Sequence, residues 1–210
     1  MVVKLFVFGR SGCGKSKTSK HISTIVEPHG WTTKRFLDYG ILEQMFQNEK
    51  VKMRFTPASG GGFDIHDVQV FDDALKKLER DVLAYCHHID NHQSHGNELL
   101  IIEFARENYD DTFKMLSQDI LQDAYFLLID AKFDTCRDRI KERTQIVSLD
   151  PDNHDNHNVS DYAMNTYFNE QYLPQNLVIF SLLKKLENNG SWDGFKKELE
   201  PFIKRILKIL

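Results

Sequence analysis

The apolar positions of this chain follow two rhythms. Unbroken runs of β-branched and aromatic residues read as strands buried on both faces, and stretches with apolar residues three and four apart read as helices. Val2–Phe8 is apolar except for Lys4 and predicts the first strand. Helical spacing takes over from Lys15 to Val26 and is stopped by Glu27–Gly30. Trp31–Asp38 is a second strand candidate that ends on an acid, with a short helical pattern behind it in GILEQMFQ. MRFTPASGGGFDIHD, which carries Pro57 and the run Gly60–Gly62, reads as a loop. Asp67–His92 carries Val68, Phe71, Leu75, Leu78, Val82, Leu83 and Ile89 along a long amphipathic helix.

Further on, Glu98–Glu103 is a third strand ending on an acid, and Asp110–Leu121 fits a helix. Ala124–Asp130 is a fourth strand, and Phe133–Thr144 a basic helix with Arg137, Arg139 and Arg143. Ser148–Asp161 is the most polar stretch and is expected to be mobile. Tyr162–Tyr172 looks helical, whereas Asn176–Asn188 suits helix or strand and is expected to contain a fifth strand. Trp192, Phe195, Leu199, Phe202, Ile203, Ile206 and Leu210 define a C-terminal helix.

Strands alternating with helices, without a repeat or a linker, predict an α/β fold in one domain over residues 1–210, its parallel sheet covered on both faces. The length of 210 residues suffices for one full core. A formal net charge of -4 without any Lys/Arg block argues against a nucleic-acid binder. Cys13, Cys86 and Cys136 are too few for a disulfide framework, which points to a reducing, cytoplasmic setting. No apolar run is long enough to span a bilayer.

Gly9–Ser16 reads G-R-S-G-C-G-K-S between the first strand and the first helix. It satisfies the phosphate-binding pattern G-x-x-x-x-G-K-[ST] in full. Glycines let successive backbone N–H groups converge on phosphates at the positive end of a helix. Lys15 would span the β- and γ-phosphates of ATP, and the Ser16 hydroxyl would ligate Mg²⁺. Gly9, Ser11, Gly12, Cys13, Gly14, Lys15, Ser16 and Lys17 are the expected nucleotide contacts. A helix N-terminus beside Cys13 is expected to lower its thiol pKa and open it to thiol reagents, although the residue is expected to serve the loop by its backbone and not by its chemistry.

The guanine signature N-K-x-D is absent, and the third strand ends in a single acid, not the Asp-Glu pair that polarises water in motor ATPases. The chain resembles a small P-loop kinase of the nucleoside/nucleotide kinase superfamily. The glycine loop, FLD ending at Asp38, LLIIEFAR with Glu103 and Arg106, and CRDRIKERT carry the resemblance. ENNGS, with Asn189 and Gly190, is similar to the loop that borders the adenine pocket in such enzymes. The resemblance implies a three-layer P-loop NTPase fold with a five-stranded parallel sheet and a small helical lid, approximately residues 134–161. The spacing from Glu103 to Arg106 matches neither adenylate kinases nor deoxynucleoside kinases, so the acceptor is not implied.

Each candidate has a bland counterpart. Asp38 is the expected base for an acceptor hydroxyl, or else a helix N-cap. Glu103 would hold Mg²⁺ through water or compete for the base role. Arg139 and Arg143 share a helix face at i, i+4 and are expected to reach the nucleotide, or else to form a solvated face with Asp138 and Glu142. Arg106 would clamp an acceptor anion, or pair with Glu107 or Asp110. Arg54 and Gly60–Gly62 complete the expected acceptor pocket. The histidines at 87, 88, 92 and 95 read as a solvated helix end, not a metal site. The expectation is an ATP- and Mg²⁺-dependent kinase of a small molecule, possible acceptors being a nucleoside or a nucleotide. Its rivals are an ATP-binding regulatory ATPase and a nucleic-acid-end kinase, and the C-terminal helix leaves room for a homodimer.

Overall fold

The computed structural model describes residues 1–51, 53–58, 62–91, 96–144, 159–173 and 183–209. Along the first half run β1 (Val2–Phe8), α1 (Lys15–Val26), β2 (Trp31–Leu37), α2 (Asp38–Asn48), β3 (Phe55–Pro57), β4 (Phe63–Ile65) and α3 (Gln69–Asn91). The second half contributes β5 (Asn97–Phe104), α4 (Tyr109–Met115), α5 (Gln118–Leu121), β6 (Ala124–Asp130) and α6 (Phe133–Thr144). Then come α7 (Asp161–Tyr167), β7 (Leu183–Glu187) and α8 (Trp192–Leu207).

The unbroken apolar runs become strands because a parallel sheet covered by helices leaves them no solvent face. Among the described residues the main sheet has five parallel strands in the order β2-β5-β1-β6-β7. Leu5, Phe6, Val7 and Phe8 of the central β1 are fully buried. On one face Phe6 stacks on Phe126 at 5.3 Å and meets Phe113 of α4 edge-on at 5.9 Å. The register sets Val7 and Leu37 level with Glu103, so the carboxyl ends of β1, β2 and β5 finish together. That edge is where ligands bind in open α/β sheets. Among the described residues no helix is long and apolar enough to cross a membrane.

Four expectations change. The second strand stops at Leu37, and Asp38 opens α2 instead of ending β2. The expected loop after Arg54 carries an antiparallel hairpin, β3 with β4, each strand only 3 residues long. The helix expected over Asp110–Leu121 breaks at Leu116 and Ser117, whose extended backbone buries Leu116, and the Ser117 N–H donates to Glu79 Oε1 at 2.8 Å. The helix expected over Tyr162–Tyr172 ends at Tyr167, because Tyr172 bridges to Asn108 instead. The fifth strand is the C-terminal part of the ambiguous stretch. α8 buries Phe195, Leu199, Phe202, Ile203 and Ile206 and packs on β7 and α1 of its own chain.

Candidate active site

The glycine loop is held from three directions. Gly12 has φ +81°, and a Cβ there would lie 2.4 Å from the Cys136 carbonyl of α6, so only glycine lets helix and loop touch. At Gly14 (φ +106°) an added Cβ would meet Asn188 Nδ2 at 2.6 Å. That amide, buried just past β7, donates to the Cys13 carbonyl at 2.8 Å. Arg10 is 8% exposed, and its guanidinium donates to the carbonyls of Ala131, Phe168 and Asn169. It therefore ties the loop to the turn after β6 and to the end of α7. Lys15 Nζ rests on the carbonyls of Gly9 at 2.8 Å and Arg10 at 3.0 Å, inside the loop it would use to grip phosphate.

Arg139 donates to the Asn188 carbonyl at 2.9 Å and reaches the Cys13 carbonyl at 3.5 Å. It lines the cavity from the loop side without pairing to Asp138 or Glu142. Arg137 points elsewhere, to Asp134 at 3.2 Å. Burial pushes the Cys13 thiol up, against the pull of Lys15 and Arg139, so the expected reactive thiolate is not what this position holds.

Opposite the loop stands Asp38, 7% exposed, the first residue of α2. The helix cap is Leu37, so Asp38 is not the N-cap. Its Oδ2 accepts from Arg106 Nη1 at 2.5 Å. No hydrogen bond reaches Oδ1 from the described residues. Arg106, itself 8% exposed, also donates to the carbonyls of Ala105 at 2.7 Å and Phe71 at 2.8 Å. Its carboxylate partner is thus Asp38, not Glu107 or Asp110, and it orients that group.

Glu103 is 2% exposed at the end of β5. Its Oε1 accepts from Arg35 Nε at 2.8 Å, whereas its Oε2 is buried without a hydrogen-bond partner. Burial pushes the Glu103 carboxyl above the ordinary carboxylate range, and the Arg35 and Lys15 charges only partly offset this. Glu103 and Ser16 line the same cavity, and a buried carboxylate oxygen with no close donor fits a hard, oxygen-seeking cation such as Mg²⁺.

A single cavity of about 740 Å³ joins these groups. Ser11, Gly12, Gly14, Lys15, Ser16, Lys17 and Gly190 line one end with Arg139, and Asp38 and Glu103 line it further along. Trp192, Lys20 and Asn188, which the motif reading missed, also line it. Trp192 carries Lys17 Nζ over its ring at 4.3 Å. The far end is walled by Tyr39, Leu42, Phe63, Phe71, Tyr167 and Phe168.

Other expected residues lie elsewhere. Arg54 pairs with Glu49 at 2.9 Å and lines a separate groove with Glu49 and Lys77. The Asn189 side chain accepts from the Lys132 N–H at 2.8 Å, so its neighbour Asn188 is the loop contact. Gly9 shapes the loop, with φ +143°, without lining the cavity. The Arg143 side chain, residues 60 and 61, His92, His95 and the polar stretch 148–158 lie outside the described residues. Among the described residues no group of three His, Cys, Asp or Glu could hold a metal.

No protein-family model matches the sequence, and no relative is found among curated proteins. Solved structures do match in fold. A gluconokinase from Sinorhizobium meliloti superposes with TM-score 0.53 at 12% identity, covering 98% of this chain and 94% of that one. Kti12 of Chaetomium thermophilum, solved with ADP-AlF3, gives 0.60 at 12% identity, covering 98% of each chain. A putative kinase from Chloroflexus aurantiacus gives 0.56 at 14%, covering 99% of this chain and 98% of that one. With its parallel sheet, its strand order and its G-R-S-G-C-G-K-S loop, the chain has the P-loop NTPase fold in its kinase-like form.

Proposed function

We propose that the protein is an ATP- and Mg²⁺-dependent phosphotransferase that moves the γ-phosphate to the hydroxyl of a small molecule. The observation that carries this reading is Asp38. Its carboxylate is held by Arg106, has one oxygen without a partner among the described residues, and shares a cavity with Lys15. A hydrolase needs only a water site, whereas this arrangement reserves space and a proton acceptor for a second reactant.

Phosphoryl transfer spreads negative charge over the moving group, so catalysis is mostly the placing of cations and reactants. The backbone N–H groups of Gly12–Ser16 and the α1 N-terminus would hold the phosphates. Lys15 would exchange its two loop carbonyls for phosphate oxygens, and Arg139 lies alongside. Ser16 and Glu103 would hold Mg²⁺, which supplies neutralisation of the phosphate charge. Asp38 would orient the acceptor hydroxyl and take its proton.

The test uses labelled ATP with a panel of hydroxyl acceptors. Transfer is expected with the native chain. In Asp38→Asn the rate should fall roughly 10²–10⁴-fold with ATP affinity unchanged. Full turnover by Asp38→Asn would end the base assignment. An ATP-binding regulatory ATPase without an acceptor is the second reading, compatible with the fold match at TM-score 0.60 to Kti12, which was solved with ADP-AlF3. Slow hydrolysis with transfer to no acceptor would select it.

A further inference from the structure

A polar seam runs between α1 and β2, where a buried sheet face would ordinarily be apolar. Ser23 of α1 bonds Thr33 of β2 at 2.7 Å, so that side of the strand faces the helix. Arg35, two residues on, shares the face. In the register of β2 on β5, Arg35 stands level with Ile101, two positions behind Glu103 and on the same side of the sheet. Its side chain is 20% exposed, and its Nε donates to Glu103 Oε1 at 2.8 Å. Taking an arginine and a glutamate out of water yields little net stability, because desolvation cancels most of the attraction. The pair is better accounted for by what it does to the other oxygen of Glu103.

That oxygen, Oε2, and the Ser19 hydroxyl on α1 are both buried without a hydrogen-bond partner. Glu103 also lines the cavity with Ser16. Arg35 sets its positive charge against Oε1. A divalent cation sharing both carboxylate oxygens would lie close to that guanidinium, and like charges repel strongly where water is scarce. Glu103 therefore offers a cation one oxygen, in a direction that Arg35 fixes. Such a site discriminates between metals. Mg²⁺ is small, holds strictly to octahedral geometry and keeps several waters, so single oxygens suit it. Ca²⁺ gathers more oxygens at longer range and readily takes both from one carboxylate.

We propose that Arg35 is a positioning residue that makes this site selective for Mg²⁺ over Ca²⁺, by holding Oε1 and leaving Glu103 a single oxygen for the cation or for a water on it. The inference rests on the placing of Mg²⁺ between Ser16 and Glu103 in the reading above, and adds to it a residue that acts only through Glu103. Without Arg35 the carboxylate turns and presents both oxygens, which favours Ca²⁺.

Calorimetry tests this on the full chain, with a non-hydrolysable ATP analogue in saturating Mg²⁺, in saturating Ca²⁺ and in neither. The native chain should bind the Mg²⁺ complex about tenfold more tightly than the Ca²⁺ complex. Arg35→Met keeps an unbranched stem but removes the charge and the donor, and should lower that ratio roughly fivefold, chiefly by tighter binding of the Ca²⁺ complex. Arg35→Lys keeps a charge and a donor for Oε1 and should restore the native ratio. An Arg35→Met ratio equal to the native one overturns the inference and leaves Arg35 an ion-pair partner alone. A native chain that takes the Ca²⁺ complex as tightly as the Mg²⁺ complex overturns it without any variant. Metal-free analogue binding as tightly as the Mg²⁺ complex overturns the metal placement and the inference together. The measurement needs no acceptor, so a failure of phosphoryl transfer, which would end the phosphotransferase reading, leaves these ratios unaffected.

Discussion

Asp38 and Glu103 are buried carboxylates at adjoining strand ends, yet their surroundings assign them different work. Arg106 holds Asp38 Oδ2 at 2.5 Å and fixes the direction of the group, and no hydrogen bond from the described residues takes its other oxygen. Glu103 has Arg35 on one oxygen and no donor closer than the Ser19 hydroxyl for the other, and burial raises its proton affinity. A raised carboxyl means that the folded state holds the proton more firmly than the unfolded chain. Glu103 therefore favours folding at pH below its unfolded value and loses that contribution as pH rises through the folded one. In metal-free buffer at neutral pH, Glu103→Gln should stabilise the fold by about 1 kcal/mol, the cost of a strained buried charge, or roughly 2–4 °C in Tm. The gain should shrink on acidification, and Mg²⁺-dependent turnover should fall. Calorimetric scans across pH check this, and an apo Tm lowered by the substitution at neutral pH would refute it. Neither partnership could be read from the chain alone. Asp38 and Arg106 lie 68 residues apart, as do Arg35 and Glu103, and only the register of β2 on β5 brings them together.

Among the elements, α6 is tied most closely to the phosphate loop. It opens the stretch expected as a lid, and in it Cys136 and Ile140 are buried and the Cys136 carbonyl lies against Gly12. α6 is a wall of the phosphate loop, and Arg139 fastens it to Asn188. Asn188→Ala would strip the Cys13 carbonyl of its amide donor. About 1–3 kcal/mol of stability should be lost, together with nucleotide affinity, because the loop loses its peg. Urea unfolding and ATP titration measure both, and unchanged ATP affinity would show that the peg is dispensable. The long periodic elements β1, β5, β6, α3 and α8 were legible, since an unbroken apolar run or a sustained stripe admits few alternatives. The β3–β4 hairpin was not, because strands of 3 residues fall below any usable period and a glycine run masks them. Asn189 was the expected contact in ENNGS, but the turn after β7 brings Asn188 to the loop and gives Asn189 to Lys132. The glycine loop was legible whole. The aromatic acceptor wall was not, since its rings come from α2, β4, α3 and α7, far apart in the chain.

Over the whole molecule, one side chain joins the two ends of the cavity. Arg10 leaves the phosphate loop and donates to Phe168 and Asn169 at the end of α7. In the same segment Tyr167 donates to the Ile65 carbonyl, and Ser160 bonds Asp64, both on β4. The phosphate loop, α7 and the hairpin are thus connected by hydrogen bonds through buried groups, so an ordering event at one should be felt at the others. Such a path counts as coupling only when both sites bias it. In hydrogen exchange, Mg²⁺ with a non-hydrolysable ATP analogue should protect the α7 amides and those of Phe63–Ile65 in addition to α1. Arg10→Lys keeps the charge but loses the three-pronged contact, and should confine that protection to the loop and α1. Stability should fall by about 1–3 kcal/mol as buried carbonyls lose their donor. If Arg10→Lys keeps the remote protection, the two ends are ordered independently. If the native chain shows none beyond α1, Arg10 is a structural fastening alone, and the acceptor walls stand ready before the nucleotide arrives.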